Sequence, residues 1–167
     1  MPRVHDAACR GAGGSWYHVA HFLVAAVDGV PAAALCTMPA SGTVVAARAA
    51  IEEVAAETGV DADGIVARGS YARSCWVQGG EGDWLIEHVA NESPHRGGGL
   101  VQALIGRALA DGKAAGYSRA SISFLIGNDV AERCYAKAGF GFAEEKRDAA
   151  FEALTGAPGF RRFARGM

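Results

Sequence analysis

An excess of charge of either sign is missing from this chain. Its 167 residues carry 16 lysines and arginines against 18 aspartates and glutamates, a net charge of −2. No basic block interrupts that balance, so nothing offers the electrostatic footprint that a phosphate backbone requires, and no nucleic-acid partner is expected. Long apolar runs are missing as well. Val19 to Val27 is broken by Asp28-Gly29, well short of the roughly 20 residues that cross a bilayer, and no membrane partner is expected. The opening Met1-Pro2-Arg3-Val4-His5-Asp6 lacks the apolar core of a signal peptide. Cysteine is sparse: Cys9, Cys36, Cys75 and Cys134 lie far apart, with no C-x-x-C pair. That spacing reads as reduced thiols in a cytoplasmic protein rather than as disulfides or a zinc site. His18 and His21 have no ligand-spaced partner, and His95, after Pro94, reads as solvent-facing. No metal is expected.

What is present is a globular pattern. Half the residues are hydrophobic, enough at this length for one domain with its own core. Residues 1–15 show no periodicity and read as a loose leader, followed by a single domain over 16–167. Val19 to Val27 reads as a strand covered on both faces, Asp28-Gly29 as a hairpin turn, and Ala32 to Thr37 as the return strand. Thr43 can cap a helix that runs to about Glu57 and stops at Gly59, with Val44, Ala47, Ile51 and Val54 as its apolar stripe. A second short helix is expected within Asp61 to Ser74, and a loop at Gly79 to Gly82. From Trp84 the pattern becomes regular: a strand over 84–90, a helix from Leu100 to about Ala115 with Val101, Leu104, Ile105 and Ala108 on one face, and a strand over 120–126. A further helix starts near Asp129, with Val130, Cys134 and Ala138 as its inner stripe, and Gly139 ends it before a strand over 140–145. Strand–helix–strand connections of this length imply parallel pairing. Phe151 to Met167 yields no placement.

The informative stretch is Arg96-Gly97-Gly98-Gly99-Leu100-Val101, between the 84–90 strand and the following helix. A glycine-rich turn that opens a helix points several unpaired N–H groups at one spot, and the helix dipole adds positive potential there. On its own it is also an ordinary strand-to-helix turn, because glycine is permissive. A dinucleotide-binding half-unit is a further reading, but no acidic ribose partner ends the Ser121–Ile126 strand. A second cluster follows in register: Asn128, Ala131, Tyr135 and Gly139-Phe140.

With both clusters in view, residues 84–146 resemble the core of the GNAT superfamily of N-acetyltransferases. Arg96 to Val101 resembles that family's R/Q-x-x-G-x-G/A loop, and Asn128 to Phe140 its N-x-x-A-x-x-x-Y-x-x-x-G-F segment. Val101 departs from the pattern, standing where the family usually has Gly or Ala, so its side chain must turn toward the sheet. The resemblance implies an α/β (α+β) fold: a mixed, mostly antiparallel central sheet flanked by helices, with a shortened N-terminal part. It implies acetyl-CoA as co-substrate, no metal, and direct transfer to a primary amine on a small molecule or peptide. Val89, Ala90 and Asn91 would pair with the pantetheine arm like a neighbouring strand, and Arg96, Gly97, Gly98, Gly99, Leu100, Val101 and Gln102 would surround the pyrophosphate. Asn128 reads as an N-cap that can also contact the cofactor. Tyr135, by its residue type a core tyrosine, would protonate the departing thiolate. Cys134 reads as a buried apolar residue, since direct attack needs no covalent intermediate.

Such chemistry needs a base. Glu87 stands among Leu85, Ile86 and Val89, where a carboxylate is costly unless paired or functional, and burial would raise its proton affinity toward what a general base needs. The competing reading is an edge-facing or salt-bridged glutamate. His88, expected on the opposite face, is the weaker candidate. A carboxylate on the later strand serves some family members, but Ser121-Ile122-Ser123-Phe124 supplies none, which leaves Glu87 acting directly or through water. The family fold also opens with a strand and usually two helices that wall the acceptor pocket. The residues before Val19 are too few to supply them, though the 43–57 helix can take part of that role. Uncovered apolar surface on the hairpin would favour a homodimer. A non-catalytic acyl-CoA-binding or regulatory module is the alternative reading.

Overall fold

The computed structural model describes residues 15–167; Cys9 and all but the last residue of the leader stretch lie outside the described residues. Six strands form one sheet in the order β1-β2-β3-β4-β6-β5. They are β1 (Phe22–Val27), β2 (Val30–Pro39), β3 (Asp83–Asn91), β4 (Arg119–Leu125), β5 (Gly141–Arg147) and β6 (Gly159–Gly166). Only β3 and β4 run parallel; every other neighbouring pair is antiparallel. Among the described residues five α-helices accompany them: α1 (Thr43–Thr58), α2 (Ala62–Arg68), α3 (Leu100–Ala114), α4 (Asp129–Lys137) and α5 (Ala149–Thr155). This is the mixed, mostly antiparallel sheet that the family resemblance implied.

The core lies between the sheet and α3 and α4, where Leu35, Ile86, Leu104, Ile105, Ile122, Phe124, Tyr135 and Phe163 pack together. Leu104, Ile105 and Ala108 recur at helical spacing and turn one face of α3 inward. Gly112 extends that face: a Cβ there would lie 2.6 Å from the Trp84 ring, so only glycine lets the end of α3 sit this close to β3. The opposite face of the sheet is covered by the chain between β2 and β3 and by α5. Gln78 donates to Thr43 Oγ1 at 2.9 Å, and Ser123 on β4 donates to the Val77 carbonyl at 2.8 Å. Phe151 of α5 meets Phe160 of β6 at 5.2 Å between ring centroids, and Trp76 meets Phe160 at 5.0 Å.

Several expectations need correction. Val19–His21 forms a 3-10 turn, so the first strand begins at Phe22. It is an edge strand with alternate residues exposed, not one covered on both faces, because β2 is its only neighbour among the described residues. Thr43 is the first helical residue of α1 rather than its cap; Gly42 holds the cap position, and Thr43 Oγ1 donates to the Ala40 carbonyl. The buried stripe of α1 is Thr43, Ala47, Ala50 and Val54, which leaves Val44 exposed. On α4, Val130 is exposed, and Tyr135 together with Ala131, Cys134 and Ala138 meets the core. The unplaced tail forms α5 and β6, and β6 inserts between β4 and β5.

Candidate active site

β3 and β4 pair only from Asp83↔Arg119 to Ile86↔Ile122, although β3 runs on to Asn91 and β4 to Leu125. Beyond the last pair the strands part, leaving that edge of β3 without a neighbouring strand. A cleft of about 720 Å³ opens there. Val89, Ala90 and Asn91 of β3 line it, with Arg96, Gly97, Gly99, Val101 and Gln102 of the turn and α3, and Asn128 and Tyr135 at α4. Three singled-out residues do not line it. The Gly98 N–H is engaged by the His95 carbonyl at 3.2 Å, Leu100 packs against the core, and Glu87 sits one residue past the last strand pair.

One end of the cleft suits an anion. Gly97 and Gly99 both take left-handed φ values, 81° and 79°. Gly99 is the N-cap of α3, and no side chain caps it. The first intrahelical bond is from Ala103 N–H to the Gly99 carbonyl, so the N–H groups of Leu100, Val101 and Gln102 precede the ladder. Asn91 braces the turn by donating to the His95 carbonyl at 3.4 Å, while its Oδ1 is buried with no partner. Val101 is half-buried against the core cluster, which accommodates the branched side chain beside the turn.

The α4 wall holds the rest. Asn128 Oδ1 accepts from Ala131 N–H at 3.1 Å, so this residue both caps the helix and lines the cleft. Gln102 Nε2 donates to the Cys134 carbonyl at 2.7 Å and approaches its Sγ at 3.3 Å, tying α3 to α4. Cys134 itself is half-buried and lines the cleft rather than lying wholly in the core. Tyr135 is 6 % exposed and packs edge-on against Phe124. Burial first, then Cys134 and Glu87, push its hydroxyl pKa upward, so it stays protonated. Val130, Arg133 and Lys137 also line this wall and were not singled out as site residues from the sequence. The signal was the spacing 130, 133, 137, which repeats along one helix face.

Glu87 carries no hydrogen bond or ion pair from any described residue. Burial alone pushes its carboxyl pKa up to about 8. Its influence reaches both sides of the sheet: it raises Tyr135 on the helix face and Cys36 on the other, where burial first and Glu87 second bring the thiol up to about 12. His88 requires a correction. It takes a left-handed φ of 52°, and the β2–β3 register slips between Ala34 and Cys36. This bulge turns the His88 ring onto the same face as Glu87, where it lies parallel to Phe22 at 6.2 Å. Among the described residues, no group of three or more His, Cys, Asp or Glu could hold a metal ion. No described helix is long and apolar enough to cross a membrane.

The fold is shared with solved acetyltransferases. One structure described only as an acetyltransferase superposes with a TM-score of 0.69 at 16% identity, over 96% of this chain and 76% of its own. An N-acetyltransferase from Staphylococcus aureus Mu50 gives 0.65 at 19% identity, over 99% of this chain and 82% of that one. An IAA acetyltransferase from Bacillus cereus ATCC 14579 gives 0.56 at 13% identity, over 87% and 77%. At such identities the likeness is one of fold. No curated protein matches the sequence. The family model described as Acetyltransferase (GNAT) family matches residues 14–140, and the chain belongs to that family. It is an N-acetyltransferase.

Proposed function

We propose that this enzyme uses acetyl-CoA and moves the acetyl group directly to a primary amine of a small molecule or peptide. The observation that carries this reading is the position of Glu87. It is a carboxyl of raised proton affinity, one residue past the last β3–β4 pair, where the strands part and a cleft opens toward an uncapped helix N-terminus.

The residues present fit acetyl-CoA. The open edge of β3 at Val89, Ala90 and Asn91 suits the amides of a pantetheine arm, and the buried, unpartnered Asn91 Oδ1 calls for a donor. Arg96 and the N–H groups of Leu100, Val101 and Gln102, which precede the helical ladder, suit the pyrophosphate, and Asn128 lies alongside. Acetyl-CoA supplies the acetyl group as a thioester. Glu87, directly or through a water, takes the proton that the amine loses as its nitrogen bonds to the carbonyl carbon. Tyr135 donates its hydroxyl proton to the sulfur as the C–S bond breaks, then regains one from solvent. Products are the N-acetylated amine and free CoA thiol. A carboxyl titrating near neutrality suits the first role and a tyrosine held protonated suits the second. Three free, widely spaced cysteines support a reducing cytoplasmic setting.

Calorimetric titration of acetyl-CoA into the protein should give micromolar binding. No heat at millimolar ligand would sink this reading.

A further inference from the structure

The cleft closes where β3 and β4 come together, and one side chain at that end has no part in the mechanism above. Past the last pair, Ile86↔Ile122, the next residues of the two strands on the helix face are Val89 and Phe124. The bulge at His88 shifts β3 by one residue, which is why Val89 takes that place. Val89 and Tyr135 line the cleft, and both pack into the core cluster that holds Phe124. Phe124 itself is only 6% exposed. It stands edge-on to the Tyr135 ring at 5.4 Å and to the Phe163 ring of β6 at 5.1 Å. A ring packed against two others in this way keeps its place, because a close-packed interior leaves it no void to move into. The fork between the strands therefore has a fixed aromatic stop on its helix side.

From this arrangement we infer that Phe124 sets the length of the acyl group that the cleft accepts: a two-carbon acyl fits and a four-carbon chain does not. The inference rests on the CoA-thioester reading above and names the acyl class that it leaves open. Carbonyl chemistry says which part of a thioester meets the stop. An amine attacks the carbonyl carbon from outside the plane of its substituents. Glu87 pairs with Cys36 on the sheet face opposite α3 and α4, so the amine arrives from that face. The sulfur points back along the cleft toward the glycine turn, which leaves the alkyl group directed into the closed end of the fork. A methyl group ends there. A longer chain has to turn out of the plane, and with the amine on one face it turns toward the helices. On that side it meets Phe124, one position past the last strand pair on the same face as Ile122. Forcing extra methylenes into a packed core is unfavourable even when they are apolar.

The test is calorimetry on the full chain with acetyl-CoA and butyryl-CoA, which reads the cleft without any acceptor. Wild-type protein should bind butyryl-CoA about tenfold more weakly than acetyl-CoA, the penalty for overfilling a packed site. Each buried methylene contributes about fourfold in affinity, so Phe124→Ala should raise butyryl-CoA affinity relative to acetyl-CoA by about tenfold or more. Phe124→Leu keeps an apolar side chain in the core and should move the same ratio about fourfold in the same direction. It carries the test if the alanine variant does not fold. Wild-type protein that binds the two thioesters equally would overturn the inference. So would a Phe124 variant that melts cooperatively, binds acetyl-CoA and keeps the wild-type ratio. No heat from either thioester would defeat the cofactor reading itself, and the acyl assignment with it.

Discussion

The parallel pair β3–β4 has two ends, and each carries one buried carboxyl. At the near end Asp83, with no exposed surface, accepts from Arg119 Nε, from Ser121 Oγ and from Gly80 N–H at 3.1 Å, with Arg162 Nη1 3.7 Å away. At the far end Glu87 accepts from nothing among the described residues, and burial lifts it to about 8. The same two strands therefore hold one carboxylate that is saturated and another that is stranded. The saturated one sets the register from which the strands diverge. The stranded one marks where they do. A carboxyl kept without partners can exchange a proton with substrate.

The contrast is breakable at either end. The largest effect is expected for Glu87→Gln, which should lower kcat about 10²- to 10⁴-fold while acetyl-CoA affinity stays within twofold; unchanged turnover would remove Glu87 from the mechanism. The wild-type kcat/KM should rise with pH and level off near 8, and the variant should lose that bend. Asp83→Ala should act on stability instead. It takes the buried acceptor from Arg119, Ser121 and the Gly80 N–H, at a cost of about 3 kcal/mol in denaturant melts. A Cm within experimental error of wild type would show that the near end is not a clamp. Tyr135→Phe should reduce kcat about 10²-fold with cofactor binding intact, measured by thiol release.

A further difference concerns pH and stability. The folded pKa of Glu87, about 8, lies above the ordinary value of 4.5, so between those values the folded state keeps a proton that the unfolded chain has released. Its contribution to stability is complete below pH 4.5 and is lost as pH rises toward 8. Glu87→Gln should flatten that decline in melts run across the window; an equal slope in both proteins would contradict the burial. Gly99→Ala is the smallest change, costing about 1 kcal/mol through its left-handed φ of 79° and loosening acetyl-CoA binding by several-fold in a titration.

The glycine turn, α3, α4 and the parallel pair were legible because their determinants are local: a period, a cap, a left-handed glycine. β6 was not. Its register depends on charges distant in sequence, with Arg161 donating to Glu145 and Arg162 to Glu144 across the β5–β6 ladder. Neither arginine announces a strand by itself. The side of His88 was misread because strict alternation fails at a bulge, and nothing in Glu87-His88-Val89 reveals one. Val44 was misassigned because small residues cover α1: alanines at 47 and 50 pack where a reading weighted toward larger side chains expects valine. Tyr135 carried both a core signal and a motif signal, and the structure gives it both places, packed on Phe124 and lining the cleft.

The insertion of β6 between β4 and β5 bears on how the chain assembles during synthesis. β5 is made before β6, and β6 is its only neighbour in the sheet among the described residues, so it waits for β6 to join. A nascent chain that has emerged as far as Arg147 thus holds the whole glycine turn and both cleft helices but exposes β4 as a temporary sheet edge. Sealing that edge waits for Gly159–Gly166, and a chain stalled before it would present an open strand to any neighbouring one.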